Sequence, residues 1–342
     1  MRNMKSIILS SDEIVKFVKS FGLNQFMDAS IKYIEKGFID YASGKLQKNK
    51  RVGFLFQKNT IEAMPCRRVG KGCCFKIVNF HEKNKEEGLP SVMGILLYLD
   101  EKNGFPIIVT DATFLTAIRT GATTGLATKY LAPGATRIGI IGSGVIGQTS
   151  LHAISRVCDI KKVFVYDTNQ KILKRFKQQM ARLLDVPIEI KSPKEIVKNS
   201  DVITTCTYGN RIVVKNAWVK AGERKLINTV GTDTPGKIEI EPTLYKRAKI
   251  IVDFKEQAVK EGDVSNPIKQ GAIDEKDIFA ELHEIIVKNK NITKEDKLII
   301  FDSTGDPIED LVMAELLLEK GKFEKKHFVF IPKRESDFYY DF

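Results

Sequence analysis

The residues whose types and spacing most directly suggest chemistry are Gly142-Ser-Gly-Val-Ile-Gly147, a G-x-G-x-x-G loop. An apolar run, Ile138 to Ile141, precedes it, and a helical stretch follows. A second apolar run ends in Asp167, 20 positions after Gly147. That context, more than the glycines themselves, points to a dinucleotide site. Gly142 permits the turn, Gly144 lets the backbone approach a pyrophosphate, and Gly147 allows close packing of helix on strand. The helix N-terminus offers N–H groups and the positive end of its dipole to phosphates. Asp167 can accept hydrogen bonds from both ribose hydroxyls and would repel a 2′-phosphate, so NAD is expected rather than NADP. A second acid, Asp233 in "VGTDTPGK", follows another apolar strand, where open α/β sheets place their sites. There it could relay protons; the bland alternative is a cap on the Pro235-Gly236 turn.

Two kinds of element must position these groups. From Arg137 onward, short apolar runs ("RIGIIG", "KVFVYD", "DVITTCT", "LINTVG", "AKIIVDF", "KLIIFDS") alternate with helical stretches. This rhythm predicts a doubly wound, Rossmann-type parallel sheet covered on both faces. The first third reads as α+β. "SSDEIVKFV" carries a capping signal with Ser11 at the N-cap, and Ile31, Ile34, Phe38 and Tyr41 fall at helical spacing. "RVGFLF", "CCFKIVNF", "VMGILLYLD" and "GFPIIVTDAT" read as strands, followed by a helix over "LTAIRTGATTGLATKYLA". The expected division is residues 1–119, with 311–342 returning to them, as a substrate-binding and dimerisation domain. Residues 120–310 form the dinucleotide domain.

Composition narrows the classes. Of 342 residues, 43% are hydrophobic and 29% charged, which suits a globular protein with real cores. No run is long and apolar enough to span a membrane, and Met1 to Ser10 lacks a secretory signal, so a cytoplasmic protein is expected. The net charge of +12 comes from lysines spread along the chain without an aromatic-studded basic motif, which argues against nucleic-acid binding. Five cysteines without zinc spacing read as reduced thiols. His81, His152, His283 and His327 stand singly, so no metal site is expected.

Several ordered motifs go further: "EAMP" from Glu62, "FKIVNFHEKN" from Phe75, "AIRTGATTGLATKYLA" from Ala117, "VGTDTPGKIEIEP" from Val230 and "FDSTGDPIED" from Phe301. Over nearly its whole length the chain resembles the ornithine cyclodeaminase/mu-crystallin family. The resemblance implies a homodimer that acts on amino acids or cyclic imines with a nicotinamide cofactor. By this likeness Arg51 and Arg119 clamp the substrate α-carboxylate, a task suited to a guanidinium fork. Lys76 contacts the reacting centre, and Asp233 is the catalytic aspartate. Cofactor contacts fall at Ser91, Gly142, Gly144, Val145, Ile146, Gly147, Asp167, Thr207, Lys237 and Ser303. The stretch from Leu226 to Thr229, including Asn228, lines the nicotinamide side. Thr304 lies beside the substrate. Glu62 stands where a carboxylate could face a distal ammonium.

The resemblance favours L-ornithine going to L-proline and ammonia, by internal hydride transfer through an imine that the δ-amine attacks. The neighbouring readings are an amino-acid dehydrogenase, or a ketimine or pyrroline-2-carboxylate reductase. Ile146, where many relatives carry Gln, resembles the siderophore-precursor dehydrogenase branch; the G-x-D-x-P-G-K motif pulls away from it. A non-catalytic ligand carrier like mu-crystallin is a third reading, against which Lys76 and Asp233 together argue.

Overall fold

The computed structural model describes residues 5–57, 59–208 and 210–326. His327 and the rest of the tail from 327 to 342 lie outside them. Eight strands, all paired in parallel, make one sheet in the order Ile188–Ile190, Lys162–Tyr166, Arg137–Ile141, Val202–Thr205, Lys225–Thr229, Leu298–Asp302, Lys249–Val252 and Ile278–Glu281. Every residue of Val202–Thr205, Lys225–Thr229 and Leu298–Asp302 is buried, which is why these strands read as continuous apolar runs. Strand order reverses between Arg137–Ile141 and Val202–Thr205, the switch point that opens a crevice in such sheets. The doubly wound sheet expected from the sequence is present.

The second sheet is mixed and also has eight strands. Its path runs Lys325–Lys326, Ser6–Leu9, Pro106–Asp111, Val92–Asp100, Gly72–Phe80, Asn59–Arg68, Leu46–Lys48, with Val52–Phe56 also pairing with Asn59–Arg68. Asn59–Arg68 is a long strand that contains the "EAMP" motif. The Ser11–Phe21 helix is capped by Ser10, not Ser11. The Ser10 hydroxyl accepts from Glu13 N while Glu13 accepts from the Ser10 backbone, a reciprocal capping box that Ser11 lies one residue too late to make.

Two helices bind the sheets together. Thr113–Leu131 packs against Val145–Val157 and against strands of both sheets, and is buried along almost its whole length. Small residues make this possible. A Cβ on Gly121 would stand 2.5 Å from the Thr149 backbone, and one on Gly125 would stand 2.8 Å from the Ala153 Cβ. Its buried threonines bond back along the helix, Thr124 to Thr120 O at 2.9 Å and Thr128 to Thr124 O at 2.8 Å. The Pro307–Lys320 helix starts at Asp306, whose carboxylate accepts from Ile308 N at 2.9 Å, with Pro307 in its first turn. Glu309 and Asp310 also sit in that first turn, where the helix dipole favours acids. The expected divisions at 119/120 and 310/311 fall within these two helices.

Candidate active site

The glycine loop sits at the switch point. Gly142 has φ +107, and a Cβ there would meet Cys206 O at 2.5 Å, so only glycine makes this turn. A Cβ on Gly147 would stand 2.2 Å from Gly142 O, whereas one on Gly144 would meet nothing within 4 Å and would project into open space. Val145, Ile146 and Gly147 open the 13-residue Val145–Val157 helix, whose first-turn N–H groups have no intrahelical acceptor. A cleft of about 870 Å³ lies over the loop. Gly142, Gly144, Asp167, Thr207 and Lys237 line it, together with Tyr208 and Arg211. Ser91 stands behind Tyr208, whose hydroxyl donates to it, and Asn228 is buried in the sheet, its amide near the hydroxyls of Thr128 and Thr204. Asp167 is already oriented: Oδ2 accepts from Ser143 N (2.7 Å) and Ser143 Oγ (2.9 Å), and Oδ1 from Asn169 N (2.8 Å). An anion-accepting loop, an open glycine and a fixed acid together fit a dinucleotide.

Beside this cleft, and not lining it, lies a buried charge cluster. Along Gly72–Phe80 the usual pattern is inverted: Phe75 and Ile77 face out, and Lys76 is 0% exposed. Its amine is 2.9 Å from Asp310 Oδ2 and 3.0 Å from Oδ1. An outward-facing lysine is therefore excluded. Burial and the nearby Arg119 charge push the Lys76 ammonium down to about 8, against the pull of Asp310. Arg119 is likewise buried; Nη1 donates to Glu309 Oε2 at 2.8 Å, and Nε lies 3.5 Å from Asp310 Oδ1. Arg51 donates to Thr304 O and pairs with Glu62 Oε2 at 3.3 Å. With the Gln257 amide oriented to suit its neighbours, its oxygen accepts from Arg51 Nε at 2.9 Å. The two guanidinium groups converge on Gly305. A Cβ at this residue, which has φ +91, would stand 2.6 Å from Arg119 Nη1 and 3.1 Å from Arg51 Nη2.

Asp253 organises the loop that carries Ser303, Thr304 and Gly305. It accepts from Ser303 Oγ at 3.0 Å, Thr304 Oγ1 at 3.2 Å and Gly305 N at 2.7 Å. Asp233 pairs with Lys237 at 2.9 Å and its side chain is 42% exposed. Partial burial pushes its carboxyl up, but Lys237 and Arg51 outweigh this and hold it at about 2. A carboxylate held that low accepts protons poorly while Lys237 is paired with it. Glu261, at the end of the Lys255–Glu261 helix, faces Arg51, Glu62 and Asp233, and its Oε2 has no hydrogen-bond partner. Thus Arg51, Lys76, Arg119, Glu62, Thr304 and Asp233 form one neighbourhood beside the cleft. The sequence reading missed Gln257, Glu261, Asp253, Glu309 and Asp310. Only the Asp-Pro start of the last helix, within "FDSTGDPIED", pointed toward the last two.

Among the described residues no group of His, Cys, Asp and Glu could hold a metal ion, and no helix is long and apolar enough to cross a membrane.

Fold and cleft define a Rossmann-type α/β protein with a second, mixed-sheet unit beside its dinucleotide crevice. The chain belongs to the ornithine cyclodeaminase/mu-crystallin family, whose model matches residues 11–325. It is 36% identical over 321 residues to an alanine dehydrogenase of Archaeoglobus fulgidus, covering 93% of this chain and 96% of that one. It is 32% identical over 308 residues to an ornithine cyclodeaminase of Agrobacterium tumefaciens, covering 88% and 83%. A solved Δ1-pyrroline-2-carboxylate reductase of Thermococcus litoralis, in complex with NADH and L-proline, superposes with a TM-score of 0.85 at 34% identity, covering 92% and 97%.

Proposed function

We propose that the protein is an NAD-dependent enzyme working at the C–N bond of an α-amino or imino acid, and that its substrate is a diamino acid, L-ornithine, cyclised to L-proline with release of ammonia. Bound over the glycine loop, NAD would supply hydride acceptance and return at the substrate α-carbon. The chain's own groups do the rest. Arg51 and Arg119 bind the α-carboxylate where they converge beside Gly305. Lys76, dry and depressed toward neutrality, polarises the reacting centre. Asp233 exchanges a proton with the substrate nitrogen once Lys237 turns to the cofactor.

One observation carries the choice of a diamino acid. Glu62, Glu261 and Asp233 lie around Arg51, Asp233 is also paired with Lys237, and Glu261 Oε2 lacks a hydrogen-bond partner, an arrangement suited to an added ammonium. Glu261→Gln leaves the Arg51–Glu62 pair intact and tests this directly. It should lower kcat/KM for ornithine by about tenfold to a hundredfold, from a charge-assisted hydrogen bond of roughly 1.5–3 kcal/mol, and spare alanine and cyclic imines. Equal effects on all substrates would reject the diamino-acid reading. A simple dehydrogenase or imine reductase is the second reading, and the Glu62–Arg51 ion pair favours it, because that pairing already occupies one of the acids.

The same reading includes a homodimer, with residues 1–119 and 311–342 as its substrate-binding and dimerisation unit. Cross-strand neighbours Val52, Ala63, Ile77 and Ile95, flanked by Phe54, Ile61 and Phe75, form an outward apolar face of the mixed sheet. A contiguous face of this kind suits a second copy.

A further inference from the structure

Among the buried groups that the proposed mechanism leaves unused, Glu309 stands against a guanidinium assigned to the substrate. Glu309 points its Oε2 at Arg119, and its Oε1 has no hydrogen-bond partner. It therefore holds the guanidinium that the proposed function assigns to the substrate. The surroundings do not welcome another anion. Carboxyls outnumber cations: Asp253, Asp306, Glu309 and Asp310 face Arg119 and Lys76, Asp306 and Glu281 face Lys48, and Glu62, Glu261 and Asp233, the last paired with Lys237, face Arg51. Each element packed against the start of the Pro307–Lys320 helix contributes. Arg119 comes from Thr113–Leu131, Lys76 and the Cys74 thiol from Gly72–Phe80, and the Cys66 thiol from Asn59–Arg68. Lys48, from Leu46–Lys48, pairs with Asp306 and lies 4.6 Å from the Tyr41 ring centre. Asp253 follows Lys249–Val252, and the Asp306 and Asp310 acids share the helix with Glu309.

We infer that Glu309 holds Arg119 in place of the substrate and releases it by protonation, so that each α-carboxylate bound brings one proton in from solvent. A solvent proton adds to the Glu309 carboxylate, the Glu309–Arg119 ion pair opens, and the incoming carboxylate accepts from the freed guanidinium N–H. The cluster's net charge is unchanged by the exchange. Placing another carboxylate on Arg119 without the proton would add a third like charge to a buried cation that Glu309 and Asp310 already share. Burial pushes the Glu309 carboxyl up to about 7, with Asp253, Asp306 and Asp310 adding to the rise and Arg119 opposing it, so the proton is available near neutrality. Glu309 is on this account a positioning residue, acting through Arg119.

This inference rests on the proposed carboxylate clamp, and the test separates the two. The probes are L-lactate and pyrrole-2-carboxylate, carboxylates without an amine that titrates near neutrality, bound to the protein carrying NADH. Calorimetric titration in two buffers of different ionisation enthalpy counts the protons taken up. The expectation at pH 8 is uptake approaching one proton per carboxylate, falling toward zero at pH 6, with affinity dropping about tenfold per pH unit above 7. Glu309→Gln, which keeps a neutral acceptor for Arg119, should bind both probes with no uptake and little pH dependence. Wild-type binding at pH 8 without proton uptake overturns the inference and leaves the clamp standing. Failure of either probe to bind at any pH, together with no binding of L-ornithine, L-alanine or L-proline, overturns the clamp and the inference with it. Unchanged uptake in Glu309→Gln assigns the proton to another group and also overturns it.

Discussion

Gly305→Ala tests the convergence of the two arginines more sharply than removal of either. Residue 305 has φ +91 and its N–H is held by Asp253 Oδ2 at 2.7 Å, so the backbone cannot readily turn away. The added methyl carbon would stand 2.6 and 2.9 Å from the two Arg119 Nη atoms and 3.1 Å from Arg51 Nη2. Both guanidinium groups must move, and under the proposed clamp each would forfeit a charge-assisted hydrogen bond to the substrate carboxylate of roughly 1.5–3 kcal/mol. Together that is about 3–6 kcal/mol, a fall in kcat/KM of about 10²–10⁴. The positive φ adds strain of about 1–2 kcal/mol, which is a stability effect and not a loss of recognition. Gly134→Ala supplies the control: φ is +83 there, and a Cβ meets nothing within 4 Å. Gly134→Ala should lose only the strain of its positive φ, Gly305→Ala should lose more because moving Arg119 disturbs its buried pair with Glu309, and only Gly305→Ala should lose turnover, with NADH binding preserved. Steady-state kinetics with fluorescence titration of NADH reads both quantities. Wild-type kcat/KM in Gly305→Ala would refute the claim that substrate carboxylate binds between these arginines.

Other expectations follow from the same geometry. Asp233→Asn should reduce turnover by about 10² or more with NAD affinity nearly unchanged, and retained turnover would return Asp233 to a turn-capping role. Asp167→Ser should weaken NAD binding and relax discrimination against NADP; a wild type that binds NADP more tightly would contradict this. The Glu309 carboxyl, raised from 4.5 to about 7, lends stability that is complete below about pH 4.5 and lost as pH rises through 7. Glu309→Gln should therefore flatten the wild-type decline in Tm between pH 6 and pH 8, and an equal decline in the variant would argue against it.

The legible parts of the sequence were those where local pattern and global position agree. Parallel strands buried on both faces must be apolar along their length, so "RIGIIG", "LINTVG" and "KLIIFDS" announced themselves, and Gly142 and Asp167 were placed by the strands they follow. The mixed sheet was harder. Asn59–Arg68 alternates Thr, Glu, Cys and Arg with apolar residues and includes Pro65, which hides a strand that pairs on both sides. Gly72–Phe80 was legible as a strand but not in its facing: it buries Lys76 and exposes Phe75 and Ile77, because the lysine's partner comes from residue 310. Ion pairs across such sequence distances leave no local trace, so Glu309, Asp310 and Gln257 could not be found from spacing. Glu261 sits in "KEQAVKEG", which reads as a solvated helix surface until the fold brings it to Arg51.

The central claim is hydride transfer at the α-carbon of a diamino acid without net redox change. It is tested by incubating the protein with L-ornithine and a catalytic amount of NAD⁺ and recording ammonia, proline and NADH together. Ammonia and proline should appear in equal amounts, many times the NAD⁺ supplied, with no lasting NADH. NADH accumulating in step with product, or turnover confined to alanine, proline or a cyclic imine, would contradict it.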